Sequence, residues 1–374
     1  RQQRVAGLAQ TARQELRLDA DEPAAAVALR KLAQVRTHAL ATRVLTQGRR
    51  AVGVRYRHGG TVRDVQVRRE VIVSAGAINS PQLLKLSGIG PATELTALGI
   101  PVVHELLGVG ENLQDHLEFY FQVACREPIT LYSQMNPWRK ACIGLRWILR
   151  RDGLGTSNHF ETGGFIRSRA GVRYPDIQFH FLPMAVSYDG SSLAREHGFQ
   201  AHVGPMRSRS LGWVRLKSAE PQDKPRIFFN YLSRPEDWVE MRACVRLTRE
   251  IFAQPAFDRY RGREIQPGAA VQSDPEIDAF IREKVESAYH PSCSCRMGST
   301  ADPLAVVDPQ TRVIGMEGLR VVDSSIMPSI TTGNLNAPTI MLAEKAADHI
   351  RGTGLLPQAQ APYYVAPAWE RAQR

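Results

Sequence analysis

Cysteine is scarce in this sequence, at five in 374 residues. An odd and sparse set does not make the disulfide framework of a small secreted domain, and fits a reducing compartment better. No apolar run approaches 18 residues, so nothing reads as a membrane-spanning helix. Acidic residues are outnumbered, 37 against 48 Lys and Arg, which leaves a net charge of +11. Such a surplus suits nucleic acid or anionic lipid. Yet there is no uninterrupted basic run, no zinc-finger spacing and no aromatic-rich ribonucleoprotein signature. Arg139, Arg146, Arg150 and Arg151 are scattered through structured segments, so the sequence points away from nucleic acid and leaves contact with anionic lipid headgroups open. The chain opens on Arg rather than Met, and no signal-peptide pattern follows.

What is present is globular. Hydrophobic residues make up 43% and charged residues 23%, enough to build about two domains without staples. Residues 1–34 are rich in Ala, Gln and Arg and stay unassigned. From Val35 the texture changes. Ala51 to Arg57 and Val62 to Val67 alternate apolar and polar around His58-Gly59-Gly60, which predicts a hairpin. Glu70 to Ser74 reads as a buried strand, and Ser80-Pro81 as the start of a helix with Pro at its first position. Strands are expected at Tyr174 to Met184 and Ser210 to Lys217. Helices are expected at Pro235 to Phe252, Asp274 to Ser287 and Pro338 to Arg351. Beyond Gly352 the Pro, Ala and Gln content suggests a mobile tail.

Three segments carry chemistry. Gly76 to Gly90 (GAINSPQLLKLSGIG) puts small residues between a strand and a helix, where free N–H groups can meet a phosphate; a plain tight turn fits equally. Tyr289 to Gly298 (YHPSCSCRMG) holds His290 before a proline, placed to face a cleft as a general base must, or to serve structurally. Cys293 and Cys295 beside it offer too few partners for a zinc site, so no metal is expected. Gly333 to Thr339 (GNLNAPT) sets two amides before a helix, as a cap or as a hydrogen-bond donor beside reacting atoms.

Together these segments resemble the glucose–methanol–choline oxidoreductases, FAD enzymes that oxidise alcohols, over about Val35 to Tyr364. Gly108 to His116, Gly163 to Ser168, His197 to Gly204 and Gly333 to Asn336 resemble the choline-oxidising bacterial branch. The fold the resemblance implies is α/β (α+β): a Rossmann-like FAD domain from 35–115 and 287–352, with an antiparallel-sheet substrate domain inserted at 116–286 and a tail at 353–374. Such proteins open on a strand and a Gly-x-Gly-x-x-Gly turn. That motif is absent here, so the chain reads as a fragment lacking the first βαβ unit, with an aberrant start over 1–34.

The resemblance also implies roles. His290 accepts the substrate's proton and Asn334 hydrogen-bonds the same oxygen. Glu161 and Tyr289 anchor a trimethylammonium group, which needs aromatic faces and a carboxylate, and Phe160 forms a wall. Ala41, Ala75, Gly76, Asp323, Ser324 and Asn336 contact the FAD. Choline would go to betaine aldehyde and on to glycine betaine, an osmoprotectant. A quinone or respiratory-chain acceptor, and a peripheral place on the cytoplasmic side of the bacterial inner membrane, complete the picture. Another alcohol oxidoreductase of the family, and an inactive flavin-free remnant, are the rival readings.

Overall fold

The computed structural model describes residues 34–186 and 196–373. The segment 1–34 therefore lies outside the described residues except for Gln34. The chain then forms a three-stranded antiparallel meander: β1 (Ala39–Gln47), β2 (Arg50–His58) and β3 (Thr61–Gln66). The expected hairpin is β2–β3, and Gly59 and Gly60 both take positive φ at its turn, the geometry that keeps twisted strands paired. Next come β4 (Val71–Val73) and helix α1 (Gly76–Leu86). Helix α1 begins earlier than expected, and Pro81 sits inside it. A proline there removes the donor to the carbonyl four residues back. That carbonyl, Ala77 O, instead accepts the buried Ser294 hydroxyl at 2.5 Å, so the helix continues through the proline.

A six-stranded antiparallel sheet follows. Its strands are β5 (Leu117–Cys125), β6 (Thr162–Ile166), β7 (Ile177–Leu182), β8 (Gly198–Pro205) and β9 (Arg261–Gln266), in the order β9-β5-β8-β7-β6, with Glu286–Ser287 paired to the start of β5. Helix α2 (Pro137–Arg150) lies between β5 and β6. Helices α3 (Pro235–Phe252) and α4 (Asp274–Lys284) cover one face. Strand side chains alternate, so Phe119, Phe121, Val123, Phe179, Phe199 and Val203 pack against Met241, Val245, Phe252, Ile277 and Ile281 in one buried cluster. Helix α4 is shorter than expected, because its last residues leave to pair with β5.

Strand β10 (Leu319–Val321) pairs in parallel with β4, and α5 (Asn336–Arg351) closes the ordered core. Residues 353–373 carry no helix or strand. At the end of this stretch Arg167 Nε donates to Gln373 O at 2.9 Å, and Gln373 Nε2 returns a bond to Arg167 O at 2.7 Å.

Candidate active site

The face of the sheet opposite α3 and α4 is polar. The alternation that sends Phe119 and Phe121 to the core sends Glu118 and Tyr120 the other way. The cross-strand register His180–His202–Tyr120 then aligns two imidazoles and a phenol. His290 stands against this face, and a small cavity is bordered by His116, Glu118, Gln178, His180, Met206 and His290.

The loop carrying His290 is held by Asp115, which is 3% exposed. Asp115 accepts from the His290 backbone N–H at 2.8 Å, the Tyr231 hydroxyl at 2.6 Å and the Ser287 hydroxyl at 2.5 Å. Burial raises its pKa, and the three donors and His290 pull it back. Three bonds to one carboxylate leave the loop little freedom, which is how Tyr289 is kept at φ 62.

A chain of hydrogen bonds assigns the protons. Met206 O can only accept, so His116 Nε2, 2.9 Å away, carries the hydrogen. Burial and the neighbouring His290 push His116 down to about 4, so its ring is neutral and its Nδ1 is bare. His290 Nδ1 lies 3.1 Å from that atom and must donate, which leaves His290 Nε2 without a hydrogen, as an acceptor. Asn334 Nδ2 approaches that nitrogen at 3.2 Å, and Gln178 fixes the amide by donating to Asn334 Oδ1 at 2.7 Å. Burial lowers the His290 pKa below the usual imidazole value, against the opposing pull of Asp115 and Glu118. A neutral imidazole whose outward nitrogen carries no hydrogen can accept a proton.

A second chain orients Glu118. Val186 N–H and Gln122 Nε2 both donate to Gln200 Oε1, at 2.9 and 2.8 Å. The Gln200 amide nitrogen therefore faces His202 Nε2 at 2.8 Å, and His202 Nδ1 donates to Glu118 Oε1 at 3.1 Å. One carboxylate oxygen is engaged on its protein side. Phe160 meets His202 edge-on at 5.1 Å between ring centres.

The structure thus brings together His290, Asn334 and Phe160 from the expected set, with Tyr289 beside the base but half exposed. Glu161 is exposed at the start of β6 and is not among the carboxylates acting on His290, which are Asp115 and Glu118. Sequence reasoning missed Asp115, His116 and Glu118. Their signal was the polar Asp-His-Leu-Glu break in an otherwise apolar strand. Cys293 and Cys295 are fully buried in two separate apolar clusters, and burial pushes the Cys293 thiol up to about 12. Among the described residues no group of three or more His, Cys, Asp or Glu is placed to hold a metal. A larger cleft of about 430 Å³ lies elsewhere, near Glu70, Arg312 and Arg320. Its charges are paired within the protein, Arg320 with Glu70 and Arg312 with Asp308, both at 2.7 Å.

The remaining expected residues gather where β4 and β10 end. Asp323 Oδ2 accepts from Gly76 N–H at 2.9 Å and from the Ser80 hydroxyl at 2.5 Å, and Oδ1 accepts from Ser325 N–H at 2.8 Å. Its side chain braces the turn rather than reaching outward. Gly76 has φ +82, and a Cβ there would meet nothing within 4 Å, so open space adjoins the backbone at the start of α1. Ala75 is exposed, and Ile72 of the parallel pair is 44% exposed, although parallel strands are normally covered on both faces. Ser324 donates to Pro291 O at 3.1 Å, tying this turn to the His290 loop. Ala41 is exposed on β1, and Asn336 is exposed at the start of α5.

Two family models, each described as GMC oxidoreductase, match residues 3–118 and 208–343. The chain belongs to the GMC oxidoreductase family. FAD is the cofactor of that family, and the open, small-residue turn at Ala75–Gly76 fits it. The first of these matches begins at residue 3, inside the stretch expected to be an aberrant start. An oxygen-dependent choline dehydrogenase from Brucella canis is 58% identical over 334 residues, covering 89% of this chain and 61% of its own. One from Paraburkholderia xenovorans is 58% identical over 330 residues, covering 88% and 58%. The chain therefore spans about 61% of the length of the first of these relatives. Among solved structures, pyridoxine 4-oxidase from Mesorbium loti superposes with a TM-score of 0.73 at 27% identity, over 85% of this chain and 58% of that one. A fungal aryl-alcohol oxidase superposes at 0.70 and 27%, over 83% and 60%.

Proposed function

We propose that this chain belongs to an enzyme that oxidises choline to betaine aldehyde, with further oxidation of the aldehyde hydrate giving glycine betaine. The observation that carries the reading is the pairing, at one sheet face, of an imidazole whose outward nitrogen carries no hydrogen and a carboxylate already oriented from behind. His290 Nε2 takes the hydroxyl proton, and the Asn334 amide donates to the same oxygen as it becomes an alkoxide. Bound FAD supplies the acceptor for the hydride that leaves the neighbouring carbon. Choline's trimethylammonium has no N–H to donate, so recognition falls to charge and aromatic faces. Glu118, with Phe160 and Tyr120 nearby, supplies both; Tyr289 borders the same space. The choline dehydrogenases to which the chain is 58% identical support the same substrate.

In this reading, residues 35–115 and 287–352 form the flavin domain and 116–286 the substrate domain. Ala41, Ala75, Gly76, Ser324 and Asn336 line the flavin through backbone or short side chains, while Asp323 holds their turn. The electron acceptor beyond the flavin is a membrane quinone or oxygen, the latter being the one in the relatives' name, and oxygen uptake separates the two. The place in the cell that fits is the cytoplasmic side of the inner membrane, and no helix among the described residues is long and apolar enough to cross it.

The test is the anaerobic visible spectrum of the FAD-loaded chain, with choline and with its uncharged carbon isostere 3,3-dimethylbutan-1-ol. Bleaching with choline alone is the expected result. Equal bleaching by both would make the chain a general alcohol oxidoreductase, and no flavin band would return it to the flavin-free remnant.

A further inference from the structure

Helix α2 (Pro137–Arg150) has firm ends. The Asn136 side chain accepts from Trp138 N–H at 2.9 Å, and the helix stops at Arg151 in the left-handed conformation. Yet none of its residues is buried. Trp138, Ala141, Cys142, Leu145, Ile148 and Leu149 recur at helical spacing and form one apolar stripe. Trp138 is 77% exposed, Leu149 72% and Ile148 61%.

The helix packs on the turn that follows it through a different side. Trp147 lies so close to Gly155 that a Cβ there would stand 2.8 Å from it, and the Arg151 guanidinium sits 4.2 Å from its ring. Trp147 follows Trp138 by nine positions, about half a turn around the helix, so docking through Trp147 turns the stripe outward. The charges are of one sign. Arg139, Lys140, Arg146, Arg150 and Arg151 have no acid among them between Glu127 and Asp152, and Asp152 is already bridged to Arg146 at 2.6 Å.

We propose that α2 is an interfacial helix that lays its Trp138 stripe into the surface of an anionic lipid bilayer. Fourteen residues span only about 21 Å, too short to cross the roughly 30 Å hydrocarbon core, so the helix lies in the plane. An anionic bilayer offers an apolar layer beneath a negative surface, the pattern that a cation-flanked apolar stripe complements. A second copy of this chain would set this cationic helix against its like, which like-charge repulsion opposes. The inference does not depend on the substrate.

The test sediments the purified chain with phosphatidylcholine vesicles, with and without phosphatidylglycerol. Pelleting with the anionic vesicles is expected, on the order of tenfold weaker with neutral ones or at high salt. The double variant Trp138→Ser, Leu149→Ser is expected to lose about tenfold in binding with unchanged circular dichroism and melting. Brominated lipids are expected to quench a fluorescence component that Trp138→Phe removes. A parent chain that stays in the supernatant, or a double variant that pellets as the parent does, would overturn the proposal. So would a lower mass for the double variant in lipid-free gel filtration, which would give the stripe to a second copy. None of these readouts uses choline turnover, so their failure leaves the proposed activity untouched.

Discussion

At the level of single residues, the site is a matter of which nitrogen holds which proton. Met206 O is the fixed end of the relay, and everything up to Asn334 follows from its inability to donate. His116 is thus a positioning residue for His290. His116→Ala is expected to lower kcat by roughly 10- to 100-fold, and His116→Gln, whose side-chain carbonyl can accept, to restore part of it. Steady-state kinetics of the two variants checks this: equal losses would mean that the imidazole only fills space. Because burial lowers the His290 pKa, the acid limb of kcat/KM is expected below the usual imidazole value, with activity present above it and lost as pH falls through it. Glu118 raises that pKa, so Glu118→Gln is expected to shift the limb to still lower pH. The same change is expected to raise KM for choline by about 10- to 100-fold, with little effect on the carbon isostere. Glu161→Gln, at an exposed position, is the control.

Elements carry their own constraints. Pro81 inside α1 is tolerated because Ser294 donates to the carbonyl the proline leaves without a partner. Ser294→Ala would leave that buried carbonyl unpaired, at a cost of about 1–3 kcal/mol; urea denaturation is expected to show a lower midpoint with unchanged slope. The strand pattern of β7 was legible, and α3 was legible to its last residue, because Pro235 and the acids after it mark a helix start. The early start of α1 was not legible: nothing local says that a hydroxyl from residue 294 will stand in for a missing backbone donor.

For the whole molecule, stability should depend on pH through Glu240 on α3. Burial first, then Asp176 and Asp237, push it up to about 7 from 4.5. The folded state holds this proton at pH values where the unfolded state has released it, so stability is greatest below about pH 4.5 and falls as pH rises towards 7. Glu240→Gln is expected to raise the melting temperature at pH 8 and leave it nearly unchanged at pH 4.5. Melting curves at the two pH values check this, and parallel curves would show the group to be solvated.

The sequence by itself determined the family and singled out His290 and Asn334, because each rests on a short contiguous motif with turn-forming residues at set offsets. It also determined the β2–β3 hairpin, β4, β7 and the helices α1, α3, α4 and α5, which are local periodicities. Only the tertiary structure decided the role of the Asp115–Glu118 stretch and the direction of the proton relay. His116 and His290 are 174 positions apart, and Glu118 and His202 are 84. Burial and cross-strand register, which lower the His290 pKa and orient the Glu118 carboxylate, exist only once distant segments share a face. Glu161 and Glu118 are the same residue type in the sequence; solvent surrounds one, and the sheet orients the other.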